Sequence, residues 1–326
     1  MKFGITFDLK SWYLDRGFST DETAEFDNQD TIDAIDAALQ KMGHETELIG
    51  NVFQLIEALA AGKKWDMVFN IAEGLYGDGR ESAIPAILDQ YQIPYVFSGP
   101  VVMGVSLNKH LAKTIAASHG TPVCKGFLAT SAADIANINL PYPLFVKPVS
   151  EGTGKGITDK SLVHNFSELK VMVEWILEEF RQPALIEEYL PGREFTVGII
   201  GAGNETVAIG GMEVITANAL PYSAFVKDNY HNYCKYAPLT NDIADECKSV
   251  AVQAWKALNA VDGGRIDLKA DKNGKICFIE ANPLAGLNPV HSDLPILARM
   301  YNIDYQQLIE MIVSSARKRY NLEEVV

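Results

Sequence analysis

The sequence predicts a mixed fold, an α/β unit with a parallel sheet followed by α+β architecture on antiparallel strands. Three features of the 326-residue chain point there. Residues 1–100 alternate short apolar strands with helices, and strands spaced by helices of that length form a parallel sheet with right-handed crossovers. Beyond about residue 106 the strands acquire hairpin-like spacing. Asn273-Gly274, set between two strand-like runs, is the strongest short hairpin signal, because a two-residue type I′ turn needs positive φ at both positions. The length suits two domains or three small ones, and the pattern divides it at 1–105, 106–192 and 193–326.

The elements follow in order. Lys2–Asp8 is an apolar strand. The polar stretch Leu9–Asp30 leaves its C-terminal end, where open α/β sheets place ligands, and loops of that length are usually functional or mobile. Thr31–Met42 carries apolar residues at helical spacing and stops at Gly43. A strand is expected at Glu45–Ile49, a helix at Val52–Ala61 closed by Gly62, a buried strand at Asp66–Ile71, a helix at Glu81–Tyr91 and a strand at Tyr95–Ser98. Helix Lys109–His119 opens the second unit. Strand Pro143–Pro148 then runs into the glycine-rich Glu151-Gly-Thr-Gly-Lys-Gly156, helix Phe166–Phe180 and strand Ala184–Tyr189. The last unit is antiparallel, with strands Glu194–Gly201, Val207–Ile215, Arg265–Leu268 and Ile276–Ala281 and helices Asp245–Leu258 and Ile303–Val313.

Composition excludes several classes. With 48% hydrophobic and 21% charged residues the chain is an ordinary globular one. No window approaches the ~20 continuous apolar residues of a membrane span, and Met1–Asp8 reads as a first strand and not a signal peptide. Cys124, Cys234, Cys247 and Cys277 lack C-x-x-C spacing and read as free thiols of a reducing, cytoplasmic compartment. A net charge of −14 disfavours a nucleic-acid surface. The basic run Arg317-Lys-Arg319 suits the C-terminal end of the last helix.

The chemistry concentrates in Gly264–Asn282. Folding the chain at Asn273-Gly274 places Asp267 opposite Glu280 and Arg265 opposite Asn282, all on one face. Two facing carboxylates repel, and a divalent cation would remove the repulsion. Asp, Glu and Asn oxygens are hard ligands that suit magnesium, which also takes substrate phosphate oxygens. Ile266, Leu268, Ile279 and Ala281 would form the opposite, core-packed face. The competing reading is a solvated acidic hairpin, against which Glu280 lies in the apolar Cys277-Phe-Ile-Glu-Ala281. Lys147 and the glycine loop that follows it would hold phosphates through a point charge and close backbone N–H groups, or form a plain turn. Lys109 is a second phosphate candidate or a surface lysine. Strand Leu185–Glu194 would offer its edge to adenine and Glu194 to ribose hydroxyls, or end as an acidic turn. The loop Asn282–His291 has backbone N–H groups free for an oxyanion, with His291 structural. Phe225–Tyr236 is a lid over a site or an aromatic surface loop.

These segments, in this order, resemble the ATP-grasp superfamily and, more closely, the D-alanine–D-alanine ligases, from about residue 31 onward. The resemblance is strongest at Lys147-Pro-Val-Ser-Glu-Gly152, Ile186-Glu-Glu-Tyr-Leu-Pro-Gly-Arg-Glu-Phe-Thr-Val197, Gly264-Arg-Ile-Asp267 and Ile279-Glu-Ala-Asn-Pro283. It implies an ATP-grasp fold, an N-terminal parallel-sheet domain with two α+β subdomains clasping ATP. It implies that Lys109 and Lys147 hold ATP phosphates. Glu187, with the backbone of Glu188 and Leu190, would read adenine, and Glu194 the ribose. Asp267, Glu280 and Asn282 would bind two magnesium ions, a role manganese can also fill. Arg265 and the Gly286 backbone would stabilise an oxyanion, and Ser292 would sit near the acceptor carboxylate. Thr153 and Tyr236 would belong to closing loops, with Lys235 near the γ-phosphate. The implied reaction joins a carboxylate and an amine through an acylphosphate, in a homodimer.

Departures gather at the substrate groups. The family's short G-G-x-S-x-E-x-x-V-S loop is replaced by a longer one beginning Thr6-Phe-Asp-Leu-Lys-Ser-Trp12, in which Glu22 or Glu25 is the candidate amine binder. The family's His-Gly reads Glu73-Gly74. Its N-x-x-P-G-M-T-x-x-S reads Asn282–Ser292, with Ala285 for Pro and one extra residue. The expected function is therefore an ADP-forming carboxylate–amine ligase acting on small-molecule amino-acid, carboxylate and amine substrates, with a pair that need not be D-alanine twice. A genuine D-alanine–D-alanine ligase, an ATP-binding protein without ligase activity, and a kinase that stops at the phosphorylated substrate are the alternatives.

Overall fold

The structure, a computed structural model, describes residues 1–216 and 234–322. The part of the Phe225–Tyr236 lid segment before Cys234 lies outside the described residues.

The first sheet is parallel. It comprises β1 (Lys2–Thr6), β2 (Glu45–Gly50), β3 (Met67–Asn70) and β4 (Tyr95–Val96) in the order β2-β1-β3-β4. Its helices are α1 (Lys10–Leu14), α2 (Gln29–Lys41), α3 (Val52–Ala60), α4 (Ala83–Tyr91) and α5 (Pro100–Leu107). Asn51 and Gln54 close a capping box at the start of α3. Helix α6 (Lys109–Ser118) follows α5 after one residue, Asn108, whose side chain caps the Leu111 N–H at 3.0 Å.

The second sheet is antiparallel, with β5 (Gly126–Ala129), β6 (Leu144–Pro148), β7 (Leu162–Val163) and β8 (Ala184–Glu188) in the order β5-β8-β6-β7. Helix α7 (Phe166–Glu179) covers one face through Leu169, Met172, Val173 and Ile176. The third sheet, also antiparallel, orders β9 (Glu194–Ile200), β10 (Val207–Thr216), β11 (Cys234–Pro238), β12 (Gly263–Ala270) and β13 (Ile276–Asn282) as β11-β10-β9-β12-β13. Helix α8 (Asn241–Ala257) buries Trp255 against this sheet. Helices α9 (Asp293–Met300) and α10 (Tyr305–Arg319) return the chain to the first sheet, where Ile309, Ile312 and Val313 join the core of Phe3, Ile5 and Phe69. The basic last turn of α10 does more than answer a helix dipole. Arg319 ion-pairs with the fully buried Asp262 at 2.7 Å and donates to the carbonyls of Tyr95 and Phe97.

Several expectations need correction. Helices α5 and α9 were not anticipated; Pro100 presets the first turn of one, and Pro295 sits harmlessly in the first turn of the other. Residues Arg80–Ser82 form a 3₁₀ turn before α4 begins at Ala83. The Leu9–Asp30 loop contains α1 and is pinned at its base, where Asp27 N–H donates to Asp8 O and Lys10 N–H to Asp27 O.

The central hairpin pairs as expected, by a different route. Arg265 faces Asn282, Ile266 faces Ala281 and Asp267 faces Glu280. The turn, however, is not a two-residue type I′. Only Gly274 has positive φ, and the loop is three residues long, closed by Asp271 N–H to Lys275 O at 2.9 Å. The Asp271 carboxylate supplants the asparagine chemistry by accepting from the N–H groups of Asn273 and Lys275. That loop shifts the register by one, so Leu268 faces Phe278, and the bulged residue Ile279 in β13 restores it. As a result Phe278 takes the core position, and Ile279 leaves the expected core face for the wall of a cavity.

Candidate active site

Two cavities meet at Lys109 and Glu280, which line both. The larger, about 550 Å³, lies between the second and third sheets. The smaller, about 250 Å³, lies between the first unit and the loop after β13.

Lys147, Glu187, Glu188, Leu190, Glu194 and Asp267 line the larger cavity. Lys147 ends β6 and Glu187 lies beside it on β8, both nearly fully buried, with an ion pair at 3.2 Å. Lys113 bonds the other oxygen of Glu187 and reaches the Cys124 thiol at 3.4 Å. Burial alone would push the Glu187 carboxyl up, but the two lysines hold it down at about 2. Burial likewise opposes the Lys113 charge, and Glu187 outweighs it, so Lys113 is raised. Lys147 is lowered by burial, with Lys113 adding to the effect against the attraction of Glu187. Burial pushes the Cys124 thiol up to about 11, so it is an inert neighbour. Just beyond β8, the Leu190 N–H donates to no other backbone carbonyl among the described residues, leaving a donor at the cavity wall. Glu194 meets Lys269 at 2.7 Å.

The face predicted to hold a metal is assembled at the junction. Asp267 accepts from Thr196 Oγ1 at 2.8 Å, from Asn282 Nδ2 at 3.2 Å and from Arg265. Glu280 pairs with Lys109 at 3.2 Å, and Lys109 also donates to the Glu151 carbonyl in the glycine-rich loop. Two carboxylates and an amide are hard oxygen donors of the kind magnesium takes. Among the described residues no group of three or more His, Cys, Asp or Glu forms a metal cage. An ion here must therefore complete its shell with water and phosphate oxygens, which is how magnesium is usually held beside nucleotides.

Around the smaller cavity stand Arg265, Thr153, Tyr236, Gly286 and Ser292. Thr153 has φ 52° in the glycine-rich loop, and Gly152 beside it approaches Glu25 so closely that a Cβ would lie 1.9 Å from its carboxylate. Tyr236 donates to Asp293 Oδ1 at 3.2 Å, and Arg265 lies 3.8 Å from the other Asp293 oxygen. A Cβ on Gly286 would come within 2.9 Å of Ser292 Oγ. Ser292 Oγ accepts from Asn288 N–H at 3.0 Å, while Asn288 donates to Thr31 at 3.1 Å and so anchors this loop to α2. His291 is exposed.

Not every expected residue converges. Lys235 is exposed, follows the alternation of β11 away from Tyr236, and lines neither cavity. Glu22 is exposed and bonds Ser19, whereas Glu25 lines the smaller cavity and pairs with Arg80 at 2.7 Å. Sequence reasoning missed Lys113, Glu81 and Thr196. Lys113 was within reach, since it follows Lys109 by four residues on one face of α6.

The family described as "D-ala D-ala ligase C-terminus" matches residues 128–314. The chain is 30% identical over 305 residues to the uncharacterized protein y4sG of Sinorhizobium fredii, covering 88% of each. It is 30% identical over 286 residues to the D-alanine–D-alanine ligase of Bordetella petrii, covering 86% of this chain and 82% of that one. Among solved structures, the D-alanine–D-alanine ligase of Bacillus anthracis complexed with ATP superposes with a TM-score of 0.74 at 21% identity, covering 98% of this chain and 99% of that one. With that fold, the matched C-terminal region and the two cavities meeting at Lys109 and Glu280, the chain belongs to the D-alanine–D-alanine ligase family of ATP-grasp proteins and is an ATP-dependent carboxylate–amine ligase.

Proposed function

We propose that this ligase forms ADP and an amide bond through an acylphosphate, with ATP in the larger cavity, the joined substrates in the smaller one, and a substrate pair other than two D-alanines. The observation that carries the reading is that the two cavities share Lys109 and its partner Glu280, with Asp267 in the wall of the larger and Asn282, hydrogen-bonded to Asp267, in the wall of the smaller. Lys109 and Lys147 neutralise the triphosphate, Glu187 and the backbone of Glu188 and Leu190 take the adenine, and Glu194 the ribose. Lys235 keeps its γ-phosphate role only if its strand edge turns inward. Asp267, Glu280 and Asn282 would hold two magnesium ions, which would supply charge neutralisation to the phosphates.

The residues of the chain then act by position and charge. The substrate carboxylate attacks the γ-phosphorus and ADP leaves. The amine attacks the acylphosphate carbonyl, Arg265 and the Gly286 N–H stabilise the resulting oxyanion, and phosphate departs. Ser292 steadies the acceptor, and Thr153 and Tyr236 close the site, keeping water from the acylphosphate. We further propose the three units 1–105, 106–192 and 193–326, a homodimer and a cytoplasmic protein that engages neither nucleic acid nor membrane; no helix among the described residues is long and apolar enough to cross a membrane.

Glu280→Gln tests the metal assignment. The substitution keeps volume and removes one charge facing Asp267. Turnover is expected to fall by about a hundredfold or more, on the scale of losing one electrostatic group in a site, with an unchanged circular dichroism spectrum. An unchanged kcat sinks the assignment.

A further inference from the structure

The smaller cavity is far more acidic than an alanine pair needs. Glu25, Asp27, Glu73 and Glu81 all line it. The nearby cations make their direct ion pairs with other carboxylates. Arg80 is paired with Glu25 at 2.7 Å and bonded to the Ser150 carbonyl, Lys109 is paired with Glu280, and Arg265 with Asp267. Glu81 stands out. It is only 8% exposed, lines the cavity, and makes no hydrogen bond or ion pair with any described residue. Glu73 stands in the same wall, again with no hydrogen bond or ion pair to its carboxylate among the described residues. A buried carboxylate without a partner is costly unless a ligand supplies one.

We infer that Glu73 and Glu81 form a subsite for a positive charge on the substrate, so that one of the joined molecules carries a further ammonium or guanidinium besides any α-amino group or reacting amine. This deepens the ligase reading and rests on the smaller cavity being its substrate pocket. The electrostatics agree. Burial pushes Glu81 up to about 7, with Glu25 and Glu280 adding to it against the attraction of Arg80 and Lys109, and burial with Glu81 and Glu25 drives Glu73 well up against Arg80, so the carboxylates around the pocket outweigh the cations beside it. A basic amino acid and a diamine share this chemistry, and the panel below separates them.

The test is direct binding to the full chain with magnesium and a non-hydrolysable ATP analogue, by calorimetry. D- and L-ornithine and 1,4-diaminobutane are compared with D- and L-norvaline and 1-aminobutane, which lack their second ammonium. At least one ligand with the second ammonium is expected to bind about tenfold or more tightly than its counterpart without it, the scale of a hydrogen bond to a charged group. Glu73→Gln and Glu81→Gln should each erase that preference while the affinity for the ATP analogue stays. Equal affinity with and without the second ammonium, no binding of any ligand that carries it, or Gln variants that keep the preference overturns the inference. Phosphate release, measured in parallel, keeps the two readings apart. Binding selective for the second ammonium without any ADP formation refutes the ligase reading and leaves the subsite standing, whereas turnover with norvaline or 1-aminobutane alone does the reverse.

Discussion

Glu187 is a carboxylate between two buried lysines, and removing its charge should be expensive in a calculable way. Its carboxyl is held at about 2 instead of the ordinary 4.5, which corresponds to about 3 kcal/mol of stability at neutral pH. That agrees with the about 3–5 kcal/mol typical of breaking a buried pair. Glu187→Gln leaves Lys113 and Lys147 facing one another without the carboxylate that pairs with both. Urea denaturation at pH 7 should therefore show a loss of about 3 kcal/mol. The folded value lies below the unfolded one, so the contribution is fully present above about pH 4.5 and drains away as the pH falls toward 2. The gap between wild type and variant should close over that window. Adding Lys113→Met should restore part of the loss by removing the like-charge repulsion. A variant within about 0.5 kcal/mol of wild type at pH 7, the range of ordinary surface changes, or a gap that widens on acidification, refutes the reasoning.

Arg265→Leu should lower kcat by about a hundredfold or more while the ATP affinity changes little, since its proposed partner is the oxyanion; weakened ATP binding with normal turnover would assign it to the nucleotide. Gly152→Ala puts a methyl 1.9 Å from the Glu25 carboxylate and must displace it, so the KM for an amino-acid substrate should rise and that for ATP should not. Arg319→Leu strands the Asp262 carboxylate, which also accepts from Phe97 N–H at 2.8 Å, and chemical denaturation should show a loss of about 3 kcal/mol or more. A loss below about 1 kcal/mol would mean that Ser315 and Phe97 suffice for Asp262.

Much of this was legible in the chain, for reasons that differ by element. The parallel sheet and its order of strands and helices followed from periodicity, because apolar alternation records which face is buried. The Asp267–Glu280 pairing was legible only because two local effects cancel. A three-residue turn governed by Asp271 moves the register one way, and the Ile279 bulge moves it back. Sequence pattern cannot see a bulge that puts Phe278 in the core and turns Ile279 to a cavity wall. Lys113 and Glu81 were missed because a charged residue on a helix or turn reads as solvent-facing. Their burial is created by segments distant in sequence, β8 for one and the wall of the smaller cavity for the other. The choice between Glu22 and Glu25 depended on where a long loop closes, which the Asp8–Asp27 backbone bond decides.

The claim at the centre is that a substrate carboxylate is phosphorylated by ATP and then captured by an amine. It is tested most directly by oxygen transfer. Amino acids labelled with ¹⁸O in the carboxyl group are supplied with ATP and magnesium, and the inorganic phosphate is analysed by mass. The account predicts ADP and one ¹⁸O per phosphate in every turnover that yields amide. Unlabelled phosphate, or AMP with pyrophosphate, would contradict it.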